Sequence, residues 1–326
     1  MIGVRIGYDP HMGETGNPGG HFSNGPEPQT FRVQVEGGVL NGLDWGGQGE
    51  PVHLLHANGF CAGTYAPFVR HLLDSFRVLA SDIRGHGGSD PIAPARIRHW
   101  RVFAEDLRDL VVSRMDPPVV GMGHSLGAVT TLIAAAAYPH LFSALVLIEP
   151  VLLPRHLLLM MDVLRMVGLA GWMPLAKKAR RRKRSFRSRA EAFRRFASGR
   201  GLFKTWSPEF IDAYLSCGLL EKDDETAVLR CDPETEARIF ESVPSDVWRT
   251  VGQVRCPILA LRGEHSKAFR KEAAEQLQRL AIHCQYRTVP ASGHFIPMEQ
   301  PEACAAAIVE WMEKNRRKEP KKEIER

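Results

Sequence analysis

Val119-Val120-Gly121-Met122-Gly123-His124-Ser125-Leu126-Gly127-Ala128 is the stretch from which the fold can be read. An apolar, β-branched run enters Gly-x-Ser-x-Gly, and a helical run, Val129 to Ala137, leaves it. Strand, sharp turn and helix are the context that a nucleophile elbow requires. The turn strains the serine backbone, so the Ser125 hydroxyl is expected to stand above the end of a sheet. Helix and strand backbones nearly touch beside it, so the flanking positions must be small. Gly123 and Gly127 meet that need and Ala128 continues it. Gly-x-Ser-x-Gly by itself also occurs in ordinary glycine-rich loops; the strand before and the helix after set this one apart.

The 326 residues could form one large α/β domain or a domain with an insertion, and they can bury a sizeable core. A composition of 44% hydrophobic and 25% charged residues is that of an ordinary soluble protein. Residues 1–30 are rich in Gly, Pro, His and Asn and lack the apolar segment of a secretory signal, so they read as a disordered leader. The six cysteines, Cys61, Cys217, Cys231, Cys256, Cys284 and Cys304, are scattered without a C-x-x-C pair. Neither a zinc nor a disulfide framework is expected, which makes a reducing cytoplasm the default compartment. No run of about 20 uncharged apolar residues suggests a membrane span.

Working outward, Phe31–Val35 and Val39–Trp45 flank Gly37-Gly38 and read as a hairpin. Val52–Leu55 is a short strand, Tyr65–Leu73 a helix, and Phe76–Ser81 a further strand. Trp100–Met115 is an amphipathic helix, and Ala144–Ile148 is a fully apolar strand that stops at Glu149-Pro150. The βα rhythm then halts: 151–252 shows helical patterns and loops but no convincing buried strand. It resumes with a strand at Pro257–Leu261, a helix at Arg270–Leu280, a strand at Cys284–Val289 and a last helix at Glu302–Asn315. Alternating strands and helices imply a largely parallel sheet covered on both faces. The expected division is a core in two parts, 31–150 and 253–316, a helical cap at 151–252, and a charged tail at 317–326.

Four motifs occur in order: His56-Ala57-Asn58-Gly59, Asp82-x-Arg84-Gly85-His86-Gly87, Gly123-His124-Ser125-Leu126-Gly127, and Gly293-His294-Phe295. In this order and spacing the chain resembles the α/β-hydrolase family from about Phe31 to Asn315, the cap excepted. The resemblance implies a serine hydrolase that needs no cofactor and no metal. A serine hydroxyl is a poor nucleophile until a base takes its proton. His294 follows the last strand, beside a glycine and late in the chain, as the family order of serine, acid and histidine demands. His124, inside the elbow, is expected to line the pocket floor together with Phe60, and His86 to knit the rim.

The oxyanion needs two donors. One is the Leu126 N–H, directly after the nucleophile. The resemblance places the other in the loop after the third strand, where Ala57 replaces the family's glycine and Asn58 would supply the N–H; a plain turn residue is the alternative. The usual acid is an aspartate after the strand before the last, but Ser266 holds that position in Arg262-Gly263-Glu264-His265-Ser266. Some relatives carry the acid one strand earlier, and Glu149 sits there, 24 residues beyond Ser125. Glu149 is the expected acid and Glu264 the alternative.

Leu157–Met173 is strongly apolar, which suits either an adaptable acyl pocket or a helix packed on the core. Lys177–Arg200 then holds twelve Lys or Arg against one acid, Glu191, a net +11; of the +6 total, the rest of the chain therefore carries −5. The run reads as a solvated face, as a peripheral contact of 157–189 with an anionic membrane surface, or as a site for an acidic substrate. Nucleic acid is disfavoured, because no aromatic residues interleave the charges in a recognition motif. The expected activity is hydrolysis of an ester-like bond in a small, largely apolar substrate. The alternatives are carbon–carbon bond hydrolysis, cofactor-free perhydrolysis, or a non-catalytic ligand receptor on the same scaffold.

Overall fold

The computed structural model describes residues 27–199, 201–222 and 226–316. The expected tail, and the expected leader up to residue 26, lie outside them. The strands are β1 (Gln29–Val35), β2 (Gly38–Asp44), β3 (Glu50–Leu55), β4 (Phe76–Ser81), β5 (Val119–His124), β6 (Phe142–Ile148), β7 (Ser185–Phe186), β8 (Leu219–Glu221), β9 (Ala227–Leu229), β10 (Ile258–Gly263) and β11 (Cys284–Val289). Eight of them form one sheet in the order β1-β2-β4-β3-β5-β6-β10-β11. The β1–β2 and β2–β4 pairs are antiparallel, and every later pair in that sheet is parallel.

Up to the second half of the sheet the helices are α1 (Ala66–Val69), α2 (Arg101–Arg114) and α3 (Leu126–Ala137). Between β6 and β10 come α4 (Arg155–Met166), α5 (Pro174–Arg180), α6 (Arg189–Phe196), α7 (Pro208–Gly218), α8 (Pro233–Glu241) and α9 (Val247–Val251). The chain closes with α10 (Lys271–Leu280), α11 (Ile296–Glu299) and α12 (Pro301–Arg316).

Central strands are buried end to end, as in β5, whereas the edge strand β1 alternates buried and exposed residues. That difference is why β5 reads as a continuous apolar run and β1 as an alternating one. Side chains of β6 divide between the two faces with period two. Leu145 and Leu147 join α2, α3 and α10, through Phe103, Leu107, Leu132 and Leu277. Val146 and Ile148 join α1 and α12, through Phe68, Ile308 and Trp311. Each such fully buried aliphatic side chain contributes about 1.5–3 kcal/mol of transfer free energy, so the layered packing holds the strand ends at fixed places.

Three expectations are corrected. The helix read at Tyr65–Leu73 is a single turn at Ala62–Tyr65 followed by the short α1. The 151–252 segment is not strand-free: β7, β9 and β8 form a small antiparallel sheet. These strands span two or three residues, too few to show any periodicity in sequence. The third correction is a disulfide between Cys61 and Cys217, with Cα atoms 6.2 Å apart, tying the loop after β3 to the end of α7. Its partners are 156 residues apart and meet only through tertiary packing, so spacing could not reveal them. The cytoplasmic expectation, which rested on unpaired cysteines, loses that footing. Among the described residues no helix is long and apolar enough to cross a membrane.

Candidate active site

At the elbow, Ser125 has φ 56° and ψ −110°, the strained geometry read from the sequence. A Cβ on Gly127 would come within 2.1 Å of the Leu55 carbonyl oxygen, so no larger residue fits there. The only other described non-glycine residues with positive φ are Glu149 (48°), just past β6, and Ala291 (51°), three residues before His294. Non-glycine residues in this region cost of order 1–3 kcal/mol each and persist where surrounding structure over-determines them. All three lie on strand-end loops that carry the candidate residues.

These loops bring Ser125, His294 and Glu149 into one row. The Ser125 Oγ lies 3.0 Å from His294 Nε2, and His294 Nδ1 lies 3.0 Å from Glu149 Oε2. An ionised carboxylate only accepts hydrogen bonds, so the neutral imidazole carries its proton on Nδ1 and donates it to Glu149. Nε2 is then left to accept from the serine hydroxyl, the arrangement in which a histidine can remove that proton. The His294 side chain is about one-quarter exposed and Glu149 is fully buried, so solvent reaches the imidazole but not the carboxylate.

A fully buried carboxylate is costly unless donors surround it. Glu149 has three: besides His294, the Gly263 N–H donates to Oε1 at 2.6 Å and the Ser266 hydroxyl donates to Oε2 at 2.5 Å. The direction of the last bond is fixed, because Ser266 Oγ itself accepts the N–H groups of Ala268 and Phe269. A Cβ on Gly263 would come within 2.1 Å of the Gly293 carbonyl oxygen, so the end of β10 and the His294 loop pack backbone on backbone. Glu264, one residue further on, is about half exposed and accepts the Ala291 N–H at 3.0 Å. The structure gives it no bond to His294.

Around the oxyanion position, Leu126 N–H opens α3, where no intrahelical acceptor exists. The Asn58 side chain donates to the Glu236 carbonyl oxygen at 3.0 Å, which ties the loop after β3 to α8 and leaves the Asn58 N–H outside that bond. The neighbouring Gly59 N–H is taken by His86 Nε2 at 3.0 Å, in keeping with a structural reading of His86.

His124 differs from expectation. It is fully buried and does not line the pocket surface. Its Nε2–H donates to the His294 carbonyl oxygen at 2.8 Å, so Nδ1 must accept, from the Tyr65 hydroxyl at 2.7 Å. Tyr65 Oη accepts the Ala57 N–H at 3.0 Å. A continuous chain of hydrogen bonds thus runs from the loop before Asn58 to the backbone of His294. Burial, and next the positive charge that a protonated His294 would set beside it, pushes His124 down to about 3, so it stays neutral and the chain stays wired. Burial likewise lowers His56 to about 4 and His86 to about 3. Phe60 is nearly buried, in edge-on contact with Trp206 (5.2 Å) and Tyr214 (5.7 Å) and 5.8 Å from Phe295, the residue after His294.

Sequence reasoning missed Tyr65, read as a helix start, and the positive role of Ser266, read only as a missing aspartate. It also missed Arg182, which pairs with Glu236 at 2.5 Å and the Tyr214 hydroxyl at 2.7 Å. Its one signal was its place in the basic run. Among the described residues no group of three or more His, Cys, Asp or Glu is disposed to hold a metal ion.

The model of the alpha/beta hydrolase family matches residues 54–307. The chain therefore belongs to the α/β-hydrolase family. It is 29% identical over 299 residues to the esterase Rv0045c of Mycobacterium tuberculosis, covering 86% of this chain and 88% of that protein. It is 25% identical over 267 residues to 2-(acetamidomethylene)succinate hydrolase of Mesorhizobium japonicum, covering 82% and 89% respectively. Among solved structures, that of E-2-(acetamidomethylene)succinate hydrolase superposes with a TM-score of 0.72 at 22% identity, over 88% of this chain and all of the other.

Proposed function

We propose that the protein is a serine hydrolase that cleaves an ester-like bond in a small, largely apolar substrate through an acyl-enzyme. The observation that carries this reading is the row of two 3.0 Å hydrogen bonds from Ser125 through His294 to the buried Glu149. In this mechanism His294 Nε2 takes the serine proton as Oγ attacks the carbonyl carbon, and Glu149 stabilises the imidazolium that forms. The N–H groups of Asn58 and Leu126 hold the oxyanion, an interaction whose loss typically costs about 10²–10³ in rate. His294 then protonates the leaving group, and water activated by the same nitrogen releases the acyl group. Phe60, Trp206 and Phe295 supply an apolar wall beside the base. The kinship with an esterase supports an oxygen-ester substrate class.

The test is reaction with a fluorophosphonate probe and hydrolysis of a panel of p-nitrophenyl esters, with Ser125→Ala as control. The probe should label the parent on the peptide that contains Ser125 and leave Ser125→Ala unlabelled. Losing a triad nucleophile costs about a million-fold in rate. An unlabelled parent, or a folded Ser125→Ala protein that keeps a tenth of the ester hydrolysis, would remove Ser125 from the role.

A further inference from the structure

We infer that α4, α5 and the turn between them form a docking face for an anionic lipid surface. Along α4 and the residue that ends it, Leu159, Val163, Met166 and Val167 fall within about a third of a turn, and all are exposed, Met166 to 85%. Trp172 (74% exposed) and Leu175 extend this face past the helix end. The opposite side of α4 is held down. Leu158 is buried, and Met161 and Leu164 pack against the small cluster of Ala170, Met173 and Ala176. Arg165 donates to the carbonyl oxygens of Glu241 and Val243 at 3.0 and 2.8 Å. The outward side is thus a fixed apolar surface, and a soluble protein seldom keeps one without a use.

Charge decides what covers it. From Arg180 to Arg189 most of the basic run is paired, while Arg187, Arg194 and Arg195, further along it, enter no ion pair among the described residues. Arg180 pairs with Glu234 and Glu241, Arg182 with Glu236, Lys183 with Glu191, Arg184 with Asp232 and Arg189 with Asp212. Lys177, Lys178 and Arg181 are exposed and enter no ion pair among the described residues; Lys177 lies 5.6 Å above the Trp172 ring. From 155 to 181 the one acid is Asp162, and Arg165 neutralises it. An apolar helix face with a tryptophan at its edge and three uncompensated cations beside it suits the boundary between headgroups and acyl chains. Each cation near an anionic surface raises partitioning roughly five-fold, so three together give about a hundred-fold.

The experiment is co-sedimentation of the full chain with phosphatidylcholine vesicles and with vesicles containing about 30% phosphatidylserine, at about 0.1 M and 0.5 M salt. Screening acts over about 10 Å at the lower value. The parent should sediment with the anionic vesicles and be released by salt. Met166→Asp/Trp172→Asp and Lys177→Glu/Lys178→Glu/Arg181→Glu should each lose most of the binding while melting like the parent. No sedimentation, equal binding to neutral vesicles, or binding that the charge-reversed variant keeps would overturn the inference. So would concentration-dependent dimerisation that Met166→Asp/Trp172→Asp abolishes, which would give the face to a second copy.

Discussion

β6 and β10 run side by side, with Ile148 opposite Leu261, and each is followed closely by a glutamate. Glu149 is fully buried, accepts three hydrogen bonds and faces His294. Glu264 is about half exposed and accepts a backbone N–H from the β11 loop. Chain position alone would admit either as the acid. What separates them is their surroundings: the end of β10 gives its N–H and its serine hydroxyl to the carboxylate on the neighbouring strand. In this chain the end of β10 supports the Glu149 carboxylate that faces His294.

The largest expected effect strikes both strand ends alike, because neither acid matters without the nucleophile. Ser125→Ala should lower kcat about a million-fold on any ester, read in a purified, folded protein. Next comes an attempt to move the acid. In Glu149→Gln/Ser266→Asp the carboxylate sits where the Ser266 oxygen now lies 2.5 Å from the acid. It should regain roughly a hundred-fold in kcat over Glu149→Gln alone, out of the about ten-thousand-fold that losing the acid costs. No recovery would mean that the two strand ends do not address one histidine. Ser266→Ala removes a hydrogen bond to a charged, buried group, worth about 1.5–3 kcal/mol. It should lower kcat about ten-fold and leave KM nearly unchanged. A merely structural serine would lower the melting temperature and leave kcat in place.

The elbow was legible in the sequence because its constraints are local: small residues at fixed offsets, a β-branched run before and a helix after. The carboxylate at Glu149 was legible for a similar reason, as a charge ending an otherwise apolar strand. Ser266 was read as a vacancy because its contact is with a residue 117 positions away, on another strand end. His124 was misplaced because a histidine in a loop says nothing about which nitrogens are taken. Only the Tyr65 hydroxyl and the His294 carbonyl oxygen explain its burial. The Cys61–Cys217 bridge and the ion pairs that absorb much of the basic run are likewise long-range pairings. The exposed apolar stripe of α4 was visible as composition but not as an outward face.

The most direct measurement is kcat for Glu149→Gln and Glu264→Gln on one activated ester, with melting temperatures beside it. In Glu149→Gln the amide can donate toward His294 Nδ1, which drives the imidazole proton to Nε2 and leaves no acceptor for the serine hydroxyl. Glu149→Gln should lose about ten-thousand-fold and Glu264→Gln less than about two-fold, its carboxylate being exposed and apart from the row. A crippled Glu264→Gln beside a nearly normal Glu149→Gln, both folded, would contradict the assignment of Glu149 as the acid.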